Sequence, residues 1–291
     1  MRYIVTGGSG FIGSCLIKRL LNDANALRPH IKILSIDNYL SGSKKNEVED
    51  NRVKYIEDTT WNINKYSYFK PEIVFHFGEY SRISQSFEEP LKVFDSNLKG
   101  TYEVIEFCKK NNCKLMYSGS SSTFGDNQNM SPYSWSKAKN VELIKNYGKW
   151  YKLKYTICYF YNVYGNGQIT SGKYSTVIGI FEDKYKNNKP LTVVYPGTQK
   201  RDFTHIDDTI NGIILSTFNG DGDGYFIRTG KQYSIIEVAK MFNHEFKIIG
   251  FRKGDRIESS GNNKKIIAIG WEPCIKLEEY IETLIKKTSD A

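Results

Sequence analysis

The chain has 291 residues, of which 40% are hydrophobic and 25% are charged, with a formal net charge of +9 at pH 7. The lysines are scattered without interleaved aromatics, and no run approaches the roughly 18 apolar residues of a membrane span, so nucleic-acid and membrane partners are not expected. The five cysteines form no C-x-x-C pair and the four histidines lie far apart, which argues against a disulfide framework and a metal site.

The N-terminus enters a predicted strand directly, without a signal peptide, so a cytoplasmic protein is expected. Strands are then predicted at Tyr3–Thr6, Ile31–Asp37, Val53–Glu57, Glu72–Phe77, Lys114–Ser118 and Tyr155–Phe160. Helices are predicted at Phe11–Asn22, Leu91–Asn111 and Trp135–Tyr151. Near-continuous apolar strands separated by helices indicate a parallel sheet covered on both faces. Right-handed crossovers then give an α/β, doubly wound Rossmann fold.

The pattern changes after Asn162. Helices are predicted at Thr176–Asn187, Asp207–Phe218, Ile235–Phe242 and Leu277–Lys287, with a strand at Leu191–Val194, a turn at Pro196-Gly197 and further short strands. We expect a smaller C-terminal α/β lobe that closes over the carboxyl edge of the sheet and binds substrate. The predicted division is 1–162 for the dinucleotide-binding domain and 163–291 for this lobe, with some interleaving of the two.

A glycine-rich turn, TGGSGFIG at 6–13, follows the first predicted strand. Its glycine spacing allows a tight turn, lets the backbone approach a pyrophosphate and lets the next helix pack closely on the strand. The unpaired N–H groups at the helix N-terminus favour phosphate. A glycine triplet alone is weak evidence, but here a strand precedes it, a helix follows it and an acidic residue ends the next strand. This context predicts a dinucleotide site.

The acidic residue is Asp37, which lies 24 positions after Gly13. A carboxylate in this place can accept hydrogen bonds from both hydroxyls of the adenosine ribose. It would also repel a 2′-phosphate. The sequence therefore favours NAD over NADP, although Lys44 and Lys45 lie nearby.

A tyrosine and a lysine stand four positions apart in Tyr133-Ser134-Trp135-Ser136-Lys137, on one face of a predicted helix. A free phenol has a pKa of about 10 and is a poor base at neutral pH, but a neighbouring ammonium and an oxidised nicotinamide both favour the phenolate. Such a pair is common by chance, and a packed tyrosine with a solvated lysine is its ordinary explanation. Here it follows a glycine fingerprint and a serine cluster, Ser118–Ser122, at the end of a strand. We therefore favour a catalytic role.

The chain resembles the extended short-chain dehydrogenases/reductases, and in particular the nucleotide-sugar epimerase/dehydratase family, over almost its full length. The segments that support the resemblance are TGGSGFIG at 6–13, DNYLSG at 37–42, ED at 57–58, HFGEYSRISQSFEEP at 76–90, NLKGT at 97–101, YSGSSSTFGD at 117–126, PYSWSKA at 132–138, FYNVYG at 160–165, RDFTHIDD at 201–208, RKGD at 252–255 and GWEP at 270–273.

This resemblance implies NAD as the cofactor, a nucleotide-sugar as the substrate and no metal. The catalytic residues that it implies are Ser120, Tyr133 and Lys137. The implied cofactor contacts are Gly7, Gly10, Phe11, Ile12, Asp37, Asn38, Asp58, Thr59, Phe77, Gly78, Asn97, Ser118, Tyr133, Lys137 and Phe160. The implied substrate contacts are Ser120, Ser122, Asn162, Arg201, Arg252, Asp255 and Ser259.

By the same resemblance, Tyr133 is the base, Lys137 holds the nicotinamide ribose, Ser120 hydrogen-bonds the reacting sugar hydroxyl and Asp58 binds the adenine amino group. The substrate residues near positions 201 and 252 fall where the family binds the nucleotide diphosphate. Two arginines suit a pyrophosphate because guanidinium binds phosphate oxygens in a bidentate manner. A structural salt bridge is the alternative for either arginine alone.

The segments quoted above identify the family more specifically than they identify the reaction. The 4,6-dehydratases of the family place Asp-Glu after the hydroxyl residue and its decarboxylases place a Glu in this segment, whereas this chain has Ser121 and Ser122. We therefore expect a 4-epimerase, which oxidises the sugar transiently at C4 and needs no further group. UDP is favoured as the nucleotide by family frequency. A 4,6-dehydratase, a 4-reductase and a non-catalytic dinucleotide-binding sensor are the alternatives.

Three further expectations concern selectivity and assembly. Glu79 and Arg82 depart from the epimerase pattern. Either they form an ion pair with each other, or they indicate a different substrate. Ser259 falls where the resembled epimerases limit room at the sugar 2-position, so a small serine there predicts that UDP-N-acetylglucosamine is accepted; an irrelevant loop serine is the alternative. The helices Leu91–Asn111 and Trp135–Tyr151 match the family's four-helix dimer interface, which implies a homodimer.

Overall fold

The computed structural model describes residues 1–27, 30–124, 129–254 and 261–289. Its strands, in chain order, are β1 (Arg2–Thr6), β2 (Lys32–Asp37), β3 (Val53–Glu57), β4 (Ile73–His76), β5 (Lys114–Ser120), β6 (Tyr155–Phe160), β7 (Asn162–Tyr164), β8 (Leu191–Val194), β9 (Lys200–His205), β10 (Gly222–Ile227), β11 (Gln232–Ser234) and β12 (Phe246–Ile249). Its α-helices are α1 (Phe11–Leu27), α2 (Pro90–Val93), α3 (Gly100–Asn111), α4 (Pro132–Tyr151), α5 (Val177–Lys186), α6 (Ile206–Asn219), α7 (Ile235–Met241), α8 (Lys264–Ile267) and α9 (Leu277–Ser289).

The main sheet has seven strands in the order β3-β2-β1-β4-β5-β6-β10. Every neighbouring pair in it is parallel. Strands β2 and β3 are added on one side of β1, and β4, β5 and β6 are added on the other side. The carboxyl ends of all these parallel strands lie along one edge of the sheet. This confirms the predicted doubly wound α/β fold.

Helices cover both faces of this sheet, as the continuous apolar strands require. Alternation along β1 shows the arrangement, because Tyr3 and Val5 pack into one core cluster and Ile4 packs into the other. The first cluster includes Leu16 of α1 and residues of α6, and the second includes residues of α3 and α4. The elements that hold the carboxyl edge in place are thus fixed by two buried cores.

The predicted helix Leu91–Asn111 is interrupted in the structure. A π-helical segment, Phe94–Lys99, separates α2 from α3. Asn97 lies in this segment and is fully buried, and its amide bonds both the backbone N–H and the carbonyl of Tyr80. Hydrophobic periodicity predicted the helix. It did not predict the extra residue of the π-helical segment, which widens the turn that contains Asn97.

The second part of the chain builds a smaller unit with its own apolar core. It contains a three-stranded sheet, β11-β9-β7, and a parallel pair, β12-β8, with α5, α7 and α9 packed on them. One strand, β10, leaves this part and pairs with β6 of the main sheet. The predicted strand Leu191–Val194 is β8, whereas the other strands of this part have three to six residues of mixed composition, a period-2 pattern too short to give their bounds from the sequence.

Replacing Gly13 with alanine is expected to destabilise the fold. An added Cβ would lie 2.2 Å from the carbonyl oxygen of Gly7, which is rigid turn backbone. We expect a loss of about 1–3 kcal/mol in the free energy of unfolding, measured by urea denaturation. Gly250→Ala is the control, because an added Cβ there meets no atom within 4 Å. Equal stability of the two variants would contradict the close packing of α1 on the turn.

Candidate active site

The glycine-rich turn lies at the carboxyl end of β1. Gly7 has a φ of +71°, and a Cβ on it would lie 2.8 Å from the carbonyl carbon of Phe77. The N–H of Gly7 donates to Ile36 O at 2.8 Å, and that of Gly10 donates back to Gly7 O at 3.2 Å. Only glycine fits position 7, and residues of the turn and the first residues of α1 line a cavity.

Asp37 ends β2 beside this turn. Its carboxylate accepts hydrogen bonds from the N–H of Ser9 at 2.9 Å and of Tyr39 at 2.8 Å. Burial raises the pKa of Asp37 above its ordinary value, and these hydrogen bonds oppose the rise. The carboxylate is therefore held at the mouth of the turn, at the place where the sequence predicts a ribose contact.

A cavity of about 230 Å³ continues from Asp37, and Asn38, Asp58, Thr59 and Gly78 are among its lining residues. Asp58 accepts hydrogen bonds from Asn62 and Tyr66, each at 2.6 Å. Burial raises the pKa of Asp58, but these bonds lower it more, so the net shift is downward. The cavity and its carboxylate have the size and polarity for a purine ring.

The larger cavity, about 560 Å³, runs from the glycine turn across the carboxyl edge of the sheet. β5 supplies Ser118 and Ser120 to its wall, the 3-10 turn that follows β5 supplies Ser122, and α4 supplies Tyr133 and Lys137. Ser131 caps α4 by accepting from the N–H of Ser134 at 3.0 Å, and Pro132 occupies the first turn. This cap starts the helix so that Tyr133 and Lys137, one turn apart, both face the cavity.

The serine run is ordered by its own hydrogen bonds. Ser120 Oγ and Ser122 Oγ lie 2.8 Å apart, and the Ser122 N–H donates to Ser120 Oγ at 3.2 Å. Ser118 Oγ donates to His76 O at 2.7 Å, which ties β5 to β4. Of the run, Ser120 is the hydroxyl that is least buried and reaches the cavity beside Tyr133.

Lys137 forms a short, buried ion pair with Glu79 and also donates to the carbonyl oxygen of Ser118. The side chains of Lys137 and Glu79 are only 4% and 3% exposed. The structure thus pairs Glu79 with Lys137 and not with Arg82. Arg82 donates instead to the carbonyl oxygens of Ser81 and Tyr174.

The lining of the larger cavity also includes Phe160, Asn162, Arg201 and Arg252. Arg201 is buried and donates to Lys200 O at 2.7 Å, whereas Arg252 is exposed. The segment 169–180, including Tyr174, adds a wall from the smaller unit. Sequence reasoning missed this wall because the segment has no motif of its own.

The predicted site residues fall into three groups. The walls of the two cavities contain Gly7, Gly10, Phe11, Ile12, Asp37, Asn38, Asp58, Thr59, Phe77, Gly78, Ser118, Ser120, Ser122, Tyr133, Lys137, Phe160, Asn162, Arg201 and Arg252. Asn97 lies outside both walls, and its amide contacts Tyr80 and Ser136. Asp255 and Ser259 lie outside the described residues.

Two features are absent from the described ranges. Among these helices none has both the length and the apolar character needed to span a bilayer. Within the same ranges, histidine, cysteine and carboxylate side chains form no cluster of three or more that could bind a metal ion.

Comparison with known proteins places the chain in a family. The model of the "NAD dependent epimerase/dehydratase family" matches residues 3–226. A "Putative UDP-glucose 4-epimerase" of Methanocaldococcus jannaschii is 28% identical over 97% of this chain and 96% of its own length. "UDP-glucuronic acid decarboxylase 6" of Arabidopsis thaliana is 26% identical over 96% of this chain and 86% of its own length.

The fold is shared with solved enzymes as well. A UDP-glucose 4-epimerase of Thermotoga maritima, crystallised with UDP-glucose, superposes with a TM-score of 0.89 at 25% identity, covering 100% of this chain and 99% of that one. The relatives thus span more than one reaction on one scaffold. The family's name also states its cofactor, which confirms the prediction of NAD. The chain belongs to the NAD dependent epimerase/dehydratase family.

Proposed function

We propose that this protein is a nucleotide-sugar 4-epimerase, with a UDP-sugar as its favoured substrate. The observation that supports this best is one continuous cavity. Its wall joins the glycine turn, the Ser120, Tyr133 and Lys137 side chains, and the guanidinium groups of Arg201 and Arg252. A pyranose between the phenol and the arginines would have its diphosphate at the cationic end and its ring at the catalytic end.

The chain's own groups suit reversible proton transfer at the sugar 4-hydroxyl. Tyr133 accepts the O4 proton as a phenolate, which the ammonium of Lys137 one helical turn away favours. Ser120 hydrogen-bonds O4 and holds it next to Tyr133. The same phenol returns the proton after the sugar has turned its other face, so the cycle leaves the protein unchanged.

NAD fits the residues that surround the two cavities. Gly7, Gly10 and the first residues of α1 line the larger cavity where a pyrophosphate would lie, Asp37 faces the ribose position and the Asp58 cavity would take the adenine. Lys137 and Ser118 line the larger cavity and not the Asp58 cavity, and the nicotinamide ribose would lie beside them. When bound, NAD supplies the acceptor and donor of the C4 hydride.

The serines after Ser120 separate an epimerase from the other reactions of the family. Ser121 and Ser122 are 3% and 1% exposed and occupy the positions where dehydratases and decarboxylases place acidic residues. A hydroxyl provides neither a strong acid nor a carboxylate base. The cavity wall therefore contains what C4 epimerisation needs and lacks, at these two positions, the groups for eliminating water or CO₂.

The decisive experiment is incubation with a panel of nucleotide-sugars, including UDP-glucose and UDP-N-acetylglucosamine, with products identified by proton NMR. We expect the C4 epimer and no net consumption of NAD. Tyr133→Phe should lower turnover by about 10²- to 10⁴-fold because the proton acceptor is lost, while NAD affinity stays unchanged.

The alternatives give different products. A 4-keto-6-deoxy sugar would identify a dehydratase, and stoichiometric oxidation of NADH or NADPH would identify a reductase. Binding of NAD without conversion of any sugar would identify a sensor. Each of these three outcomes would overturn the epimerase proposal.

Asp37 is proposed to set the choice of NAD. Asp37→Asn removes the negative charge but keeps the size and one acceptor. Because hydrogen bonds to charged groups contribute about 1.5–3 kcal/mol, NAD should bind roughly 10- to 100-fold more weakly, and the preference over NADP should shrink. Isothermal titration with both cofactors measures this, with Asp50→Asn as the control on a remote carboxylate that pairs with Arg52. An unchanged NAD-to-NADP preference would contradict the assignment.

A homodimer is proposed through the outer surface of the helices at 90–111 and 132–151. Leu91 is 78% exposed and Trp150 is 60% exposed, and Phe94 and Trp135 contact across the two helices with ring centroids 6.0 Å apart. The Phe94–Trp135 contact thus joins exposed apolar side chains of both helices. A second copy of the chain, related by a two-fold axis, would cover them with the same residues.

Light scattering is expected to give twice the chain mass of 33.5 kDa. The double variant Leu91→Glu, Trp150→Glu should give the monomer, since two charges per chain would be buried in the interface. Ile248→Glu is the control, because Ile248 is an exposed apolar residue of β12. A monomeric parent, or a double variant that stays dimeric, would contradict the proposal.

A further inference from the structure

Glu79 stands directly after β4, at the carboxyl edge of the sheet, and it lines the larger cavity. Its side chain is 3% exposed, and its partner Lys137 is 4% exposed. A buried carboxylate is costly unless charges and hydrogen bonds satisfy it. The groups around Glu79 must therefore compensate its negative charge.

Within the described residues, the side-chain hydrogen bonds of Glu79 lie around the proposed catalytic pair, Tyr133 and Lys137. Oε2 accepts from Lys137 Nζ. Oε1 accepts from Thr101 Oγ1 at 2.9 Å, from Asn140 Nδ2 at 2.9 Å and from Tyr117 Oη at 3.0 Å. The carboxylate thus connects α3, β5 and α4 at the point where α4 presents Lys137.

The titratable and charged groups around this carboxylate come from every element packed on it. From β4, His76 bonds Thr101 Oγ1, and burial lowers the pKa of His76 to about 4, so it is neutral. From β5, burial raises the pKa of Tyr117 well above its ordinary value, so this phenol is also neutral. From α4 come Lys137 and Tyr133. From the loop after Glu79 comes Arg82, close enough to Tyr133 for their charges to interact.

We propose that Glu79 is a positioning residue that fixes Lys137 in the site and offsets its positive charge. Glu79 therefore sets how strongly this site favours a phenolate on Tyr133 and an oxidised nicotinamide. The second half of this inference rests on the proposed function, because it takes Lys137 to lie at the nicotinamide ribose. Without Glu79, Lys137 would keep the carbonyl oxygen of Ser118 as a partner but would lose the negative charge that compensates it.

Two opposite effects follow from removing the charge. A negative neighbour disfavours a second negative charge, so loss of Glu79 makes the phenolate easier to form. The same negative neighbour favours cationic NAD⁺ over neutral NADH, so loss of Glu79 makes the oxidised cofactor bind less well relative to the reduced one.

The test is Glu79→Gln, which keeps the shape and one acceptor oxygen but removes the charge and replaces the second acceptor by an NH2 donor. The acid limb of the pH profile of kcat/KM should move to lower pH by about one unit, the order expected for one unit charge at protein dielectric. The ratio of the Kd of NADH to the Kd of NAD⁺, measured by titration of cofactor-depleted protein, should fall by about tenfold.

Glu106→Gln is the matched control. Glu106 also accepts from a lysine and a tyrosine, Lys109 at 2.6 Å and Tyr147 at 2.8 Å, but it lies outside the lining of both cavities. This variant has the same change in net charge and should leave both readouts at their parent values. Equal readouts for the two variants would overturn the proposal and leave Glu79 a structural residue.

A second variant covers the case in which Glu79→Gln does not fold. Glu79→Asp keeps the charge but withdraws it by one methylene from Lys137, so kcat should fall while the acid limb stays where it is. An unchanged kcat would overturn the positioning role. The cofactor ratio needs no turnover, so it decides the inference about Glu79 even if none of the nucleotide-sugars is epimerised.

Discussion

The site depends on one buried ion pair. An ammonium and a carboxylate that are both almost fully removed from water are stable only when each is compensated by the other and by hydrogen bonds. Lys137 has Glu79 and the carbonyl of Ser118, and Glu79 has Thr101, Tyr117 and Asn140 as well. Because these partners come from β5, α3 and α4, the Lys137–Glu79 ion pair connects three elements at the carboxyl edge of the sheet. Tyr133 lies one turn before Lys137 in α4, so its position depends on the contacts that hold this helix.

The sequence predicted the fold because its signals are local and strong. Near-continuous apolar strands, the glycine turn and the Tyr133–Lys137 spacing each depend on residues close in the chain, and the structure has the corresponding elements. The ion pair depends on residues 58 positions apart, and a pattern within one helix or strand does not show which of two cations a carboxylate meets. The wall at 169–180 and the π-helical segment are decided by tertiary packing for the same reason.

Family and reaction are fixed by different parts of the molecule. The parallel sheet and its glycine turn bind a dinucleotide whatever happens to the sugar, and relatives at 26% to 28% identity have names with different reactions. In the proposed epimerase, the reaction depends on a few side chains near Tyr133: Ser121 and Ser122 stand where acidic residues are expected in other reactions, and Glu79 offsets the charge of Lys137. Charge differences of this kind change the chemistry without disturbing either core.

The strand β10 has a consequence for how the chain folds. It pairs with β6 at the border of the main sheet, yet it is separated from β6 by about sixty residues that build most of the smaller unit. Until Ile227 has left the ribosome, β6 is an open edge of parallel sheet that presents unpaired backbone groups to other chains. A fragment ended at residue 162 would keep that edge permanently. It would be prone to aggregate even though it contains the whole glycine turn and both members of the proposed catalytic pair, Tyr133 and Lys137.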